Sequence, residues 1–137
     1  MGKVKIRNLE IGNGKPKIMG IINASPESFY KESIATSKKI ISQRAIEMEN
    51  EGADLIDIGG MSTAPYGHTL VSANKEVERL RNSISAVKEV CSIPLSVDTP
   101  RAEVAKVSID MGVDLVNDVT GLKYDEKMKS VVYSSGL

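Results

Sequence analysis

The sequence predicts an α/β fold built on a parallel sheet, and three observations carry that expectation. Short, nearly continuous apolar runs recur along the chain, each is followed by a polar or Gly-containing loop, and each loop leads into a longer amphipathic stretch. The runs Lys17-Ile-Met-Gly-Ile-Ile-Asn23, Asp54-Leu-Ile-Asp-Ile58, Ile93-Pro-Leu-Ser-Val-Asp98 and Asp114-Leu-Val-Asn-Asp-Val119 read as strands buried on both faces, as parallel strands usually are. Val4 to Ile11, followed by Gly12-Asn-Gly14, reads as a small antiparallel hairpin that precedes them. Ser37 to Glu51 sets Ile41, Ala45 and Met48 on one helical face, and Ser72 to Val90 does the same for Val77, Leu80, Ile84 and Val87. A third helix is expected from Pro100 or Arg101 to Asp110, with Pro100 suited to a first turn and Gly112 to the stop. A fourth is expected from near Asp125.

The 137 residues carry 18 basic and 18 acidic side chains, one His and one Cys, and 41% of them are hydrophobic. That composition supplies a core and excludes disorder or a fibrous repeat. A formal net charge of zero gives no electrostatic footprint for nucleic acid or an anionic membrane. Cys91 has no intrachain disulfide partner, and no Cys/His cluster has zinc-site spacing, which fits a reducing, cytoplasmic setting. The amino terminus lacks a secretory apolar core, Ile6 breaks the myristoylation pattern, and no apolar run approaches the roughly 20 residues that span a bilayer. A cytosolic, unanchored protein is expected.

Two architectures use such βα units: an open doubly wound sheet, or part of a (β/α)₈ barrel, which typically needs about 250 residues. The first strand runs into Asn23-Ala-Ser-Pro-Glu-Ser-Phe29 rather than a Gly-x-Gly-x-x-Gly turn, which disfavours a dinucleotide site. The chain stops at Ser134-Ser-Gly-Leu137, where a fifth strand should begin, and so reads as half of a larger unit. In both architectures function lies at the carboxyl ends of the strands. Those ends are polar: Asn23, the run from Asp57 through Gly59-Gly60, Asp98-Thr99, and Asn117-Asp118. A ring of Asn23, Asp98, Asn117 and Asp118 offers amides and carboxylates but no nucleophile, Cys–His pair or phosphate-binding lysine loop. It suits a flat heterocycle bearing several N–H and carbonyl groups.

These segments resemble one family. Met19-Gly-Ile-Ile-Asn-Ala-Ser-Pro-Glu-Ser-Phe29 is similar to the first signature of dihydropteroate synthases, MGILNVTPDSF, and Asp54-Leu-Ile-Asp-Ile-Gly-Gly-Met-Ser-Thr-Ala-Pro65 to the second, DIIDIGGESTRP. Ser96-Val-Asp-Thr99 and Asn117-Asp-Val-Thr-Gly121 resemble the family's SIDT and NDVSG strand ends, in the same order. The resemblance implies a (β/α)₈ barrel of which residues 1–137 form the N-terminal half, about four βα units, with residues 1–15 as a capping hairpin. It implies an enzyme joining 6-hydroxymethyl-7,8-dihydropterin diphosphate to p-aminobenzoate, with release of diphosphate and help from Mg²⁺. By position, Asn23 resembles the amide that ligates Mg²⁺, and with Ser62 and Thr63 it forms the expected catalytic set. Asp98, Asn117 and Asp118 are the expected pterin-binding residues, and Ser25, Ser28 and Thr63 the expected diphosphate-loop residues. Departure of diphosphate leaves a cationic pterin methylene, so stabilising the leaving group matters more than a general base.

The match departs at two places. Ala64 stands where the family has Arg, and Met61 where it has Glu, which removes a bidentate fork suited to phosphate or carboxylate. The first loop continues as Tyr30-Lys-Glu-Ser-Ile34 rather than a Ser-Asp-Gly-Gly stretch. Both changes resemble archaeal relatives, whose acceptor is a ribosylated aminobenzene without the free carboxylate, in modified-folate synthesis. The alternatives are the pterin-binding domain of a methyltetrahydrofolate methyltransferase and a non-catalytic half-barrel subunit. Expected partners are small molecules, not nucleic acid or membrane, together with a second copy in a homodimer or a complementary C-terminal half-barrel that covers the parallel edge. Asn74 to Arg81 reads as a solvated helix face, Cys91 as a small buried hydrophobe, His68 as a surface residue, and Asp54 as a strand-start residue at the stability end.

Overall fold

The computed structural model describes residues 2–12, 14–24, 34–61 and 71–137. Strands β1 (Val4–Ile6) and β2 (Leu9–Ile11) form an antiparallel hairpin, with Val4 opposite Ile11 and Ile6 opposite Leu9. Its turn is Arg7-Asn8, and Arg7 adopts φ +52°, the left-handed conformation that two-residue hairpin turns require. The chain then alternates β3 (Met19–Asn23), α1 (Ile34–Asn50), β4 (Leu55–Gly59), α2 (Ala73–Lys88), β5 (Leu95–Asp98), α3 (Ala102–Asp110), β6 (Leu115–Asn117) and α4 (Met128–Ser135). The second sheet is parallel, in the order β3-β4-β5-β6.

That order, together with the side on which the core lies, separates the two expected architectures. A doubly wound sheet reverses strand order and carries helices on both faces. Here the order is monotonic and the core lies on one face. Ile22, Ile56, Ile58 and Val97 pack against Ile41 and Ala45 of α1, Leu80, Ile84 and Val87 of α2, and Val104 of α3. The opposite face of β3 is open, with Ile21 64% and Met19 43% exposed. The expectation of strands buried on both faces therefore fails for β3, because no described segment covers the inner side of that strand. This is the geometry of a barrel wall: helices outside, one sheet face turned inward.

One device repeats at the amino ends of two strands. In Gly52-Ala-Asp54-Leu55 and Gly112-Val-Asp114-Leu115 the glycine ends a helix with φ +102° and +87° respectively, which side-chain-bearing residues rarely adopt. The Asp that follows binds the neighbouring strand twice. Asp54 donates its N–H to the Ile18 carbonyl and accepts the Ile18 N–H on Oδ2, both at 2.8 Å. Asp114 does the same with Leu95, at 2.8 and 3.0 Å. Asp54 thus has the structural role its position suggested. The Arg7 guanidinium lies 3.8 Å from the Asp114 carboxylate, which ties the hairpin to the same end of the sheet.

Several sequence expectations need correction in detail. Pro100 lies outside α3. Arg101 occupies the N-cap without a capping side chain, and the Asp125 carboxylate accepts the Ala102 N–H at 2.8 Å instead. The fourth helix begins at Met128, since Asp125 and Lys127 form the turn that leads into it. The last strand is confined to Leu115–Asn117, and Val119 is 63% exposed. Asn74 to Arg81 is not simply a solvated face, because Glu76 within it is fully buried. Ser72 caps α2 through the Lys75 N–H as its type suggests, and Cys91 is half-buried against the core. No helix among the described residues is long and apolar enough to cross a membrane.

Candidate functional site

Strand pairing sets the site. Asn23 is in register with Gly59, Gly59 with Asp98, and Asp98 with Asn117, so four strand-end positions form one row across the sheet. Alternation along the strands then puts Ile21, Asp57, Ser96 and Leu115 in the row beneath, on the same inward face. The site is thus a polar rim above a floor that contains one carboxylate. Gly59 leaves the space beside Asp98 open: a Cβ placed there would stand 3.7 Å from Asp98 Oδ2.

Asp98 is the electrostatic centre. Burial, then the nearby carboxylates of Asp57, Asp118 and Glu76, push its pKa up from 3.8 to about 6. The Asn117 amide donates from Nδ2 to Asp57 Oδ2 at 3.2 Å, linking rim to floor. Asp57 is 3% exposed, and its Oδ1 is buried with no hydrogen-bond partner among the described residues.

The loop after β5 is held from the helix layer. Glu76, fully buried, accepts from Thr99 Oγ1 and from the Arg101 guanidinium, each at 2.7 Å. Thr99 also accepts the Arg101 N–H at 3.2 Å and donates its own N–H to the Asn117 carbonyl at 3.0 Å, so the residue after Asp98 is tied to the residue beside it. Arg79 donates to the Gly60 carbonyl at 3.1 Å. At Gly60 a Cβ would meet Glu76 Cγ at 3.0 Å and Leu80 Cγ at 3.1 Å, so a larger residue would crowd these two side chains where the end of β4 passes α2.

Asn23, Asp98 and Asn117 come together as expected. Asp118 adjoins them, but its carboxylate organises the loop that follows: Oδ1 accepts from the Thr120 N–H and hydroxyl, and Oδ2 from the Leu122 N–H. Ser25, Ser28, Ser62 and Thr63 lie outside the described residues, as does His68. The sequence reading placed Asp57 at a polar strand end but outside the binding ring, and it missed Glu76 and Arg101 as site-forming residues. Asp57 had a legible signal, since it shares strand parity with Gly59 and hence with the rim. Glu76 had one too: it stands four residues before Leu80, on the helix face that also carries Ile84 and Val87. Among the described residues no three His, Cys, Asp or Glu side chains gather to hold a metal ion.

Comparison with known proteins follows the same residues. The family model described as pterin binding enzyme matches residues 19–137. The dihydropteroate synthase of Clostridium beijerinckii is 39% identical over 129 residues, covering 94% of this chain and 47% of that protein. That of Staphylococcus haemolyticus is 41% identical over 118 residues, covering 86% and 43%. The solved dihydropteroate synthase of Clostridium difficile, in the presence of pteroic acid, superposes with a TM-score of 0.84 at 40% identity, over 89% of this chain and 46% of that one. The Xanthomonas albilineans enzyme with 4-aminobenzoic acid gives 0.84 at 30% identity, over 96% and 48%. The chain spans about half the length of the relatives it matches. A match over residues 19–137, with the strand-end motifs aligned in one polar rim, assigns the chain to the family of pterin binding enzymes.

Proposed function

We propose that the protein is a dihydropteroate synthase-like transferase, joining 6-hydroxymethyl-7,8-dihydropterin diphosphate to p-aminobenzoate or a ribosylated aminobenzene in folate or modified-folate synthesis. One observation carries this reading: pairing register sets Asn23, Gly59, Asp98 and Asn117 in one row at the strand ends, with a glycine gap beside the carboxylate. Relatives named dihydropteroate synthase, solved with pteroic acid or 4-aminobenzoic acid, support it. In this reading residues 1–137 are the N-terminal half of a barrel, and the hairpin within residues 1–15 caps the end opposite the site. The open inner face at Met19 and Ile21 is then covered by a complementary half-barrel or a second copy.

Asp98 and Asn117 hold the pterin. With its pKa near 6, Asp98 is largely ionised at neutral pH and accepts from ring N–H donors, while the Asn117 amide adds a neutral partner. Asp118 acts in this reading by holding the adjoining loop. In this reading Ser25, Ser28 and Thr63 bind the diphosphate, and Ser62 and Thr63 join Asn23 in the catalytic set. The bond from the pterin methylene carbon to the diphosphate oxygen breaks, and its electron pair leaves with diphosphate. The amine lone pair forms the new C–N bond, and the ammonium proton passes to solvent. The row supplies orientation, and the amine is itself the nucleophile, so no nucleophilic side chain is needed.

Asn23 offers one hard oxygen at the rim, which suits Mg²⁺, an ion that keeps several waters and binds through one or two protein oxygens plus substrate phosphates. When bound it supplies positive charge to the leaving diphosphate. The reacting partners are small molecules in a cytoplasmic setting. Calorimetric titration of the protein at its natural length tests the reading. Affinity for the pterin diphosphate should rise with Mg²⁺ and exceed that for a methylpterin. Equal, Mg²⁺-independent affinity for both would transfer the chain to the methyltransferase type, and no binding of either would make it a non-catalytic half.

A further inference from the structure

Beneath the rim, Asp57 is an expensive residue. It is 3% exposed, one oxygen accepts a hydrogen bond from Asn117 Nδ2 at 3.2 Å, and the other is buried without a partner among the described residues. Burying a carboxylate with half its acceptor capacity unused costs stability, and an asparagine of the same shape would keep a hydrogen bond to Asn117 at a smaller desolvation cost. What asparagine would not keep is polarity. The Asn117 group facing Asp57 is the NH₂, which donates to Oδ2, and the Asn117 carbonyl oxygen is left on the other end of the amide.

We propose that Asp57 is a positioning residue, which fixes the Asn117 amide with NH₂ toward the floor and Oδ1 toward the ligand, so that Asp98 and Asn117 together present acceptors to a donor-rich heterocycle edge. The identity of the ring rests on the pterin reading above; the Asp57–Asn117 contact does not. A ring bearing an amino group beside an N–H matches two acceptors. Its counterpart with oxygen in place of the amino group sets a carbonyl against the Asn117 oxygen and leaves both unpaired, the arrangement that sites built on hydrogen bonds reject most strongly. In Asp57→Asn the facing amide can donate or accept, the Asn117 amide can rotate over, and discrimination falls.

The test titrates the protein at its natural length with 6-hydroxymethylpterin and with its 2-oxo counterpart, alongside ¹⁵N NMR of the Asn117 side chain. The wild-type protein should prefer the 2-amino ring by at least about tenfold, Asp57→Asn should lose roughly tenfold of that preference, and Asn117→Ala should abolish it, in line with the loss of a hydrogen bond to a charged group. In Asp57→Asn the Asn117 amide resonances should shift as well. Unchanged preference with unmoved amide resonances overturns the inference and leaves the pterin reading standing. Failure of the wild-type protein to bind either ring, with the Asn117 resonances still shifted in Asp57→Asn, overturns the pterin reading and leaves the Asp57 contact standing. If Asp57→Asn does not fold, the wild-type protein decides: one Nδ2 proton of Asn117 should exchange markedly more slowly than the other, and equally fast exchange of both overturns the inference.

Discussion

Replacing Asp98 by Asn should make the protein more stable and worse at binding. Asp98 ionises in the unfolded chain near 3.8 and in the folded protein at about 6, so folding takes up a proton between those values. A carboxyl raised in the folded state contributes nothing unfavourable below pH 3.8, and it subtracts stability progressively as the pH rises to 6 and beyond. Two pKa units correspond to about 3 kcal/mol. Asp98 is only half-buried, and solvent screening reduces this to roughly 1–2 kcal/mol. Asp98→Asn removes the charge and keeps the shape. Urea denaturation at pH 7.5 should therefore show the variant about 1–2 kcal/mol more stable than wild type, with the gap closing near pH 3.5. Groups unaffected by the change cancel in that comparison. The same variant should bind the pterin ring at least about tenfold more weakly at pH 7.5, because a charge-assisted hydrogen bond is lost. Equal or lower stability of the variant at pH 7.5 would refute the claim that Asp98 is held ionised against its environment for a ligand.

Other predictions follow from the same geometry. Glu76→Ala should cost about 3 kcal/mol, because it leaves the Arg101 guanidinium, 15% exposed, without its buried partner and frees the loop after Asp98; thermal denaturation and Arg101 side-chain NMR check it. Asp125→Ala should destabilise the protein at neutral pH by removing the cap on α3. Hydrogen bonds from the Ala102 and Lys127 amides hold the Asp125 carboxyl below its usual range, so its contribution is present above that range and disappears as the pH falls through it; denaturation at pH 7 and pH 3 should show the difference shrink. Cys91, with its thiol pushed to about 11 by burial and by Glu49, should alkylate slowly in the native protein at pH 8 and rapidly in urea.

Much of this molecule is legible in its sequence because local chemistry and global fold agree. The helices formed where apolar residues recur at helical spacing, and Ile41, Ala45, Leu80, Ile84 and Val87 sit in the core that this spacing implies. The rim was legible because strand ends in such folds converge, and three polar ends in one register, Asn23, Asp98 and Asn117, are hard to arrange for packing alone. The misses share a cause. Ile21 and Met19 look like core residues, since periodicity reports apolarity and not whether anything lies across the face. Glu76 reads as solvated because its partners, Thr99 and Arg101, are more than twenty residues away and pair with it only once α2 packs behind β5. The cap on α3 comes from Asp125, 23 residues on, where no local pattern points.

The central claim is that this rim binds a pterin diphosphate and passes its methylene group to an arylamine. The most direct measurement mixes the protein at its natural length with 6-hydroxymethyl-7,8-dihydropterin diphosphate, Mg²⁺ and either p-aminobenzoate or its ribosylated, decarboxylated analogue, and follows diphosphate release and coupled product by chromatography. The account predicts one diphosphate per coupled product, dependent on one of the two amines and lost in Asn117→Ala. No coupling with either amine, or coupling that survives the loss of Asn117 unchanged, would contradict it.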